Sequence, residues 1–258
     1  MVRLAANLSM IFTELPFLDR FAAAAQAGFD AVEFMFPYDH PAEEVAARAS
    51  EHGLDVVLFN MPPGDWDAGE CGIGCHPDRV EESRKGAQLA LDYARALKCP
   101  RLHLMAGKVG PAGREAGMDT LVDNIRFAAD LVAADGIDIL LEAINSVDRP
   151  GYFYDRSAAV MDVIARVDRP NVKFQYDIYH MQMMEGDLAR TIERLLPSIG
   201  HIQLADNPGR HEPGTGEINF PWLLDRIDAL GYAGSIGCEY APAAGTLPGL
   251  GWAKPYLR

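Results

Sequence analysis

The sequence predicts an α/β protein, a single-domain (β/α)8 TIM barrel spanning residues 1–258, on three observations. Apolar strand-like runs alternate with helical patterns along the whole chain. The runs number eight, which favours a closed barrel over a doubly wound open sheet. A chain of 258 residues with 49% hydrophobic content has the size of one barrel domain. The predicted strands cover residues 3–8, 30–35, 54–60, 101–105, 137–142, 171–177, 199–205 and 235–239.

Helical patterns lie between these runs. Glycines follow four of the patterns at the position of a C-terminal helix cap, namely Gly28, Gly53, Gly136 and Gly231. A Gly/Pro-rich tail, residues 241–258, follows the last strand. We expect this tail to wrap the surface or to pack on another subunit of a homo-oligomer. The helical patterns cover residues 15–27, 41–52, 78–97, 118–134, 157–167, 187–196 and 221–230.

The composition limits the classes of partner. The formal net charge is -14 and the sequence pI is about 4.8. Binding to a phosphate backbone depends on clustered Lys and Arg, so nucleic acid is not an expected partner. The chain has no run of about 18 uncharged apolar residues, and its start lacks the apolar segment and cleavage site of a signal peptide. We therefore expect a cytoplasmic protein that acts on a small molecule and does not bind membranes.

The four cysteines do not form the pattern of a disulfide framework in a chain of this length. Cys71 and Cys75 lie in the segment CGIGC, which has the wrong spacing for a CxxC metal knuckle and no second half. We interpret this segment as a Gly-rich loop with reduced thiols.

Four oxygen-bearing side chains stand at the ends of strand-like runs in the second half of the chain. Residues at i, i+2 and i+4 of a strand share one face, so the polar residues of 173–177 face one way and the aromatic residues face the other. Runs 137–142, 199–204 and 235–239 alternate in the same way. The strands therefore direct these oxygens toward the carboxyl end of the barrel, where such barrels have their chemistry. The four residues are Glu142, Asp177, Gln203 and Glu239.

Three carboxylates and one amide suit a hard divalent metal. We expect Mg²⁺, with Mn²⁺ as the alternative, because Zn²⁺ usually takes His or Cys ligands. An octahedral ion would keep two positions for a substrate that offers two oxygens. The alternative interpretation is that these residues are surface carboxylates that end strands by chance. Their matching places on successive strands favour the metal site.

Two further residues are candidates for substrate contact. His180 follows Asp177 in a predicted loop, and we expect it to contact the substrate rather than a surface partner. Arg210 lies in a Gly- and Pro-rich loop after the seventh strand, where it would bind an anionic substrate or pair with Glu212. The chain has neither a GxxxxGK[ST] loop nor a strand–GxGxxG–helix unit, so a nucleotide cofactor is not expected.

Several segments follow the pattern of a known family. They are FNMPPGDWDAGE (59–70), LLEAINSVDRPGYF (140–153), QYDIYHMQMMEGDLARTI (175–192), GHIQLADNPGRHEPGTGEINF (200–220) and GCEY (237–240). In these segments the chain resembles the hydroxypyruvate isomerase family, part of a wider group of xylose isomerase-like TIM barrels with ketose 3-epimerases and 2-oxo-tetronate isomerases. The match runs in order over nearly the whole chain. The wider group usually has a histidine where this chain has Gln203.

The resemblance implies roles for the four oxygen-bearing residues. The equivalents of Glu142, Asp177, Gln203 and Glu239 bind the divalent metal in the family pattern. The equivalents of Glu142 and Glu239 also act as the acid/base pair. Because a carboxylate bound to Mg²⁺ is a weakened base, we expect one glutamate to bind through a single oxygen and to keep the other free.

The resemblance also implies contacts with the substrate. At the positions of Asn145 and Asp148, epimerases often have an Asn and a Glu that contacts the sugar. The side chain of Asp148 is one methylene shorter than that Glu. An acidic protein repels an anionic substrate at long range, so local groups must capture it. We assign that role to the metal and Arg210, with His180 and Lys108, in the loop after the fourth strand, as helpers.

The implied reaction interconverts hydroxypyruvate and 2-hydroxy-3-oxopropanoate (tartronate semialdehyde) by metal-assisted proton transfer through an enediolate. A 2-oxo-tetronate isomerase or a ketose 3-epimerase with the same metal and glutamates is the main alternative. A nuclease of the abasic-site type would need several His-rich zinc sites and a basic face. A non-catalytic binder of sugar acids would not need a pair of carboxylates around a hard metal.

Overall fold

Eight parallel strands form a closed barrel in the computed structural model, which describes residues 2–110 and 112–258. The strands are β1 (Arg3–Asn7), β2 (Ala31–Phe34), β3 (Asp55–Asn60), β4 (Arg101–His103), β5 (Asp138–Glu142), β6 (Val172–Asp177), β7 (Ile199–Leu204) and β8 (Ser235–Cys238). Each strand pairs with the next, and β8 closes the barrel on β1 with Leu4 opposite Ile236. The predicted (β/α)8 barrel is confirmed, and every strand lies within its predicted run.

Helices surround the barrel, and two of them, Ile178–Met184 and Thr246–Gly249, were not predicted. The helix predicted to begin at residue 118 begins at Gly113, and Ile178–Met184 lies where the sequence predicted a loop. Short 3-10 helices cover Phe17–Asp19, Pro77–Arg79, Ala133–Asp135, Leu196–Ser198 and Leu250–Tyr256. The α-helices are α1 (Arg20–Gln26), α2 (Ala42–Glu51), α3 (Val80–Leu97), α4 (Gly113–Val132), α5 (Ser157–Val167), α6 (Ile178–Met184), α7 (Leu188–Leu195), α8 (Phe220–Ala229) and α9 (Thr246–Gly249).

Helix α3 shows why these segments are helical. Its residues Ala87, Ala90, Leu91 and Ala94 are buried. Residues at this spacing lie on one face of a helix, and that face packs against the barrel. Acidic residues lie in its first turn and Arg95 lies in its last turn, as the helix dipole favours. The glycines predicted to end four helices all have positive φ, for example 68° at Gly136 and 80° at Gly231.

Alternation along the strands separates the helix-facing core from the barrel interior. On β6, Phe174 and Tyr176 are buried and pack edge to face, 5.5 Å between ring centroids. Gln175 and Asp177 point the other way, and Gln175 bonds across to Gln203 on β7. The predicted assignment of faces on this strand is therefore confirmed.

The C-terminal tail packs on its own barrel. Oγ1 of Thr246, at the start of α9, accepts a hydrogen bond from the backbone N–H of Phe12, 2.7 Å away. The backbone N–H of Thr246 donates to Oε1 of Glu14 at 2.8 Å. The tail thus covers the loop between β1 and α1. Packing on another subunit stays a prediction.

All four cysteines are free and buried, as expected for reduced thiols. In the parts of the chain that the structure describes, no helix has both the length and the apolar character needed to cross a membrane.

Candidate active site

The four predicted ligands lie on adjacent strands at the carboxyl end of the barrel. Glu142 and Asp177 are the last residues of β5 and β6, and Gln203 lies opposite Asp177 on β7. Glu239 directly follows β8, where its backbone N–H donates to the carbonyl of Leu204 at 3.1 Å. All four side chains are buried. Their burial argues against the interpretation as surface carboxylates.

Each of the three carboxylates keeps one oxygen without a hydrogen bond. Among the described residues, Oε1 of Glu142, Oδ2 of Asp177 and Oε2 of Glu239 are buried and lack a hydrogen-bond partner. An unpaired anionic oxygen in a protein interior is costly. One divalent cation satisfies several such oxygens at once. The donor set therefore fits Mg²⁺ or Mn²⁺.

His180 lies on α6, and the expectation that it lies in a loop is wrong. Oδ1 of Asp177 accepts hydrogen bonds from the backbone N–H groups of Tyr179 and His180, at 2.7 and 3.1 Å, and so caps the helix. Nε2 of His180 is 3.8 Å from Oε1 of Glu142 and 3.9 Å from Oδ2 of Asp177. These three residues offer ligand atoms that all lie within 4.8 Å of one another.

Asn145 fixes the tautomer of His180. Oδ1 of Asn145 accepts hydrogen bonds from the backbone N–H groups of Val147 and Asp148, at 3.1 and 2.7 Å, which sets the orientation of the amide. Its Nδ2 therefore donates to Nδ1 of His180, 2.7 Å away. The proton of the neutral imidazole then resides on Nε2, which faces the carboxylates. A protonated Nε2 donates a hydrogen bond and does not ligate a metal, so this geometry favours substrate contact by His180.

Arg210 brings a positive charge to the same carboxylates. Its Nη2 is 3.4 Å from Oε2 of Glu239 and 3.9 Å from Oδ2 of Asp177. The guanidinium also lies over the ring of Tyr179, 5.2 Å from its centroid. Glu212, the alternative partner, instead accepts a hydrogen bond from the backbone of the C-terminal tail. Arg210 is therefore directed into the site.

Asp206 holds the loop that presents Arg210. Its buried carboxylate accepts hydrogen bonds from the backbone N–H groups of Gly214 and Gly216, at 2.8 and 2.9 Å. The backbone N–H of Ala241 donates to the carbonyl of Arg210 at 2.9 Å and ties the loop to the segment after β8. Arg210 itself has a φ of 53°, a conformation that residues other than glycine keep only when the surroundings enforce it.

Burial dominates the proton affinities at this site. It raises the pKa of Glu142 well above its ordinary value, and the charges of Glu239 and Asp177 raise it further. Burial also raises the pKa of Glu239 to about 8, against the opposing charge of Arg210. Burial lowers the pKa of His180 to about 4, so its ring is neutral at pH 7. Without a balancing cation, Glu142 and Glu239 therefore favour their protonated forms.

Gln203 is bonded to an acid that the sequence analysis missed. Nε2 of Gln203 donates to Oε1 of Glu33 at 2.8 Å, and its Oε1 accepts from Nε2 of Gln175 at 2.6 Å. Glu33, on β2, is fully buried and also accepts hydrogen bonds from Asn7 and His201. The sequence signal for this residue is an acid within the otherwise apolar run of β2.

His103 is a second residue that was missed. It lies buried at the end of β4, with Nδ1 3.6 Å from Oε2 of Glu142. Burial lowers the pKa of His103 to about 3, and the charge of His180 lowers it further, so His103 is neutral. The two oxygens of Glu142 thus have different neighbours, His180 beside Oε1 and His103 beside Oε2.

Lys108 is exposed in the loop after β4. Its amino group donates to the carbonyl of Gly69 at 3.0 Å. Its own carbonyl accepts from Sγ of Cys75 and lies 2.9 Å from Nε2 of His76. These bonds join the loops that follow β3 and β4. Contact of Lys108 or Asn145 with a substrate stays a prediction.

Comparison with known proteins identifies one family over most of the chain. The family model described as xylose isomerase-like TIM barrel matches residues 21–256. The 2-oxo-tetronate isomerase of Cupriavidus necator is 50% identical over 258 residues, which cover 100% of this chain and 99% of that protein. The hydroxypyruvate isomerase of Escherichia coli is 48% identical over 258 residues, which cover 99% of this chain and 100% of that protein.

A solved structure has a different functional name. The crystal structure described as AP endonuclease, family 2, from Brucella melitensis is 47% identical, has a TM-score of 0.98 and covers 100% of both chains. These three similar proteins thus bear the names of two isomerases and one endonuclease. The chemistry of the site must decide between them.

Proposed function

Because this chain belongs to the xylose isomerase-like TIM barrel family, we propose that it is an isomerase that moves the carbonyl group of a short 2-oxo acid between carbons 2 and 3. The substrate that we favour is hydroxypyruvate, with 2-hydroxy-3-oxopropanoate as the product. Full-length relatives named as isomerases, at 48% and 50% identity, support the reaction class.

One observation carries this proposal. Three buried carboxylates, from Glu142, Asp177 and Glu239, each direct an oxygen without a hydrogen-bond partner among the described residues into a site that also contains Arg210 and His180. Carboxylates bind a cation and transfer protons, whereas a guanidinium and an imidazole N–H bind the oxygens of an organic acid. The combination matches an anionic substrate with an acidic C–H bond.

A divalent cation, Mg²⁺ or alternatively Mn²⁺, would be held by Glu142, Asp177, Gln203 and Glu239. When bound, the cation supplies Lewis acidity that makes the C–H bond next to a carbonyl group more acidic. The protein contributes the arrangement of the ligands. It also contributes the burial that strengthens their electrostatic interactions.

Glu142 and Glu239 would transfer the proton. They project from β5 and β8, on either side of the ligands from β6 and β7, so they flank a substrate bound between them. One glutamate would remove a proton from carbon 3 of hydroxypyruvate and the other would deliver one to carbon 2. The hydroxyl proton moves from the oxygen on carbon 3 to the oxygen on carbon 2, so the atoms balance. A raised pKa suits both groups to exchange protons near neutral pH.

The substrate carboxylate would bind to Arg210, the cation that reaches these acids from the loop after β7. His180 would donate from Nε2 to a hydroxyl or carbonyl oxygen. Nδ2 of Asn145 donates to Nδ1 of His180 and so keeps the proton on Nε2. Lys108 would add positive charge at the entrance of the site. A cytoplasmic location and self-association also stay predictions.

The main alternative substrates share this chemistry. A 2-oxo-tetronate is also a 2-oxo acid with a hydroxyl on carbon 3, and it differs by one added hydroxymethyl group. A ketose 3-epimerase would act on a neutral sugar, which does not explain a half-buried arginine beside the acids. Relatives named 2-oxo-tetronate isomerase and hydroxypyruvate isomerase are 50% and 48% identical to this chain. Sequence identity therefore does not decide which of the two acids is the substrate.

The test is a comparison of kcat/KM for hydroxypyruvate, a 2-oxo-tetronate and a neutral ketose, using protein reconstituted with Mg²⁺ or Mn²⁺. The proposal predicts turnover of hydroxypyruvate with the highest kcat/KM. A preference for the four-carbon acid would correct the substrate but keep the reaction. Turnover of the ketose without turnover of either acid would reject the reaction class.

An endonuclease activity fits this chain poorly. The net charge of -14 opposes binding to a nucleic acid backbone. The ligand set consists of carboxylates and an amide, whereas zinc sites usually contain His or Cys. Incubation with an oligonucleotide that contains an abasic site should give no cleavage under conditions where hydroxypyruvate is converted.

A further inference from the structure

Glu33 crosses the barrel interior to reach Gln203. It starts on β2, and its carboxylate accepts a hydrogen bond from Gln203 on β7. Strands β8 and β1 lie between them and carry Gly237 paired with Ala5. A Cβ atom on Gly237 would lie 2.3 Å from both carboxylate oxygens of Glu33. The absence of a side chain at Gly237 therefore gives the carboxylate room to cross.

The contact with Glu33 fixes the orientation of the Gln203 amide. Oε1 of Glu33 already accepts a hydrogen bond from Nδ2 of Asn7, so the NH₂ group of Gln203, and not its oxygen, faces that atom. Nε2 of Gln175 lies 2.6 Å from Oε1 of Gln203 and donates to it, which agrees with that orientation. A flipped amide would place its oxygen against the Glu33 oxygen in a buried place, at the cost of the hydrogen bond between the two side chains.

Glu33 is itself held firmly. The Nδ2 of Asn7 donates to its Oε1 at 2.9 Å, and Nε2 of His201 lies 2.6 Å from its Oε2. All of these side chains are buried. A carboxylate with three buried neighbours of this kind has little freedom to rotate. The orientation of Gln203 is therefore determined by the barrel interior.

The register of the sheet places Gln203 directly opposite Asp177, on the face where the three unpaired carboxylate oxygens lie. We propose that Glu33 is a positioning residue of the metal site, which draws the NH₂ group of Gln203 away so that Oε1 is the atom presented to a divalent cation. The hydrogen bond to Glu33 also polarises the amide and makes that oxygen a stronger ligand. Carboxylates that accept a hydrogen bond from a metal-binding histidine likewise orient that ligand and strengthen it.

This inference rests on the proposed metal-assisted reaction, but its test measures metal binding alone. The dissociation constant for Mn²⁺ would be measured with chelator-treated protein by the electron paramagnetic resonance signal of free Mn²⁺. We expect Glu33→Gln to bind Mn²⁺ about 10–100-fold more weakly than the wild type, the usual effect of removing such a supporting group.

A reciprocal exchange separates positioning from a merely structural role. In the double variant Glu33→Gln/Gln203→Glu, both terminal atoms of the side chain at position 203 are oxygens, so an oxygen faces the cation whichever way that side chain is turned. We expect Mn²⁺ affinity at the wild-type level or tighter. Asn124→Ala is the matched control, because it removes a buried amide on α4 that donates to the carbonyl of Gly74 and does not contact Glu33. It should lower the melting temperature without changing Mn²⁺ affinity.

Three results would overturn the inference. The first is wild-type affinity in Glu33→Gln, and the second is a double variant as weak as the single one. The third applies if Glu33→Gln does not fold. It is a folded double variant that binds Mn²⁺ more than about tenfold more weakly than the wild type. A wild-type protein that does not bind Mn²⁺ would reject the proposed metal site itself, which distinguishes that failure from a failure of the role of Glu33.

Discussion

Nδ1 of His180 lies 2.7 Å from Nδ2 of Asn145, so the histidine offers a proton, and not a lone pair, to the site. The carbonyl oxygen of Asn145 is occupied by two backbone N–H groups, which prevents the amide from turning over. Although His180 lies within ligand distance of Glu142 and Asp177, its tautomer favours a role as a hydrogen-bond donor to the substrate.

We predict that His180→Gln lowers kcat/KM for hydroxypyruvate about 10–100-fold, the effect of losing a well-placed hydrogen bond to a charged group. The dissociation constant for Mn²⁺ should not change. Asp177→Asn is the matched control, since it alters a ligand and should weaken Mn²⁺ binding. A His180→Gln protein that binds Mn²⁺ much more weakly would show that His180 is a ligand.

We predict that Arg210→Ala raises the KM for hydroxypyruvate about 10–100-fold with a smaller effect on kcat, because the guanidinium is the positive side chain in contact with the site acids. Arg226→Ala is the control, since Arg226 forms a partly exposed ion pair with Glu193 on the surface. Steady-state kinetics of both variants provides the measurement. An unchanged KM in Arg210→Ala would remove its proposed role.

We predict that Glu142→Gln and Glu239→Gln each lower kcat about 10²–10⁴-fold, the usual contribution of a positioned acid or base. Both changes conserve size and remove a buried charge, so circular dichroism should show an intact fold. Glu217→Gln, at a carboxylate bonded to Gln182 and Asn207 on the surface, is the control. Near wild-type turnover in either site variant would show that the two-base assignment is wrong.

The raised pKa values also predict how stability depends on pH. Between its unfolded and folded pKa, a carboxyl group with a raised pKa binds more protons in the folded state, so stability falls as pH rises. For Glu239 this window runs from the ordinary value of 4.5 to about 8. We predict that, with chelator present, the melting temperature of the wild type falls more steeply between about pH 5 and pH 8 than that of Glu142→Gln/Glu239→Gln. Parallel curves would contradict this assignment.

Local patterns were sufficient for most of the barrel and its carboxylates. Period-two alternation places Glu142, Asp177 and Glu239 at strand ends, and parallel strands bring their ends to one edge of the barrel. Helix α6 was missed although its signal is local. Asp177 ends a strand and caps a helix at once, and a strand followed immediately by a helix leaves no loop between them.

The supporting residues were not predictable from local patterns. Glu33 and Gln203 belong to β2 and β7, and their contact depends on the closed barrel and on the missing side chain of Gly237. The tautomer of His180 likewise depends on Asn145, which lies in a different connection, the one between β5 and α5. Sequence periodicity assigns a face to each strand, but it does not specify which residues meet across the interior.

The central claim is that buried glutamates beside a divalent cation remove and return a proton on a short 2-oxo acid. Proton NMR of hydroxypyruvate in D₂O tests it most directly, with the wild-type protein measured in the presence of Mg²⁺ and again in the presence of chelator. The claim predicts loss of the signal from carbon 3 as solvent deuterium enters, together with appearance of the product, only when the metal is present. Conversion without deuterium incorporation, or equal exchange with chelator, would contradict it.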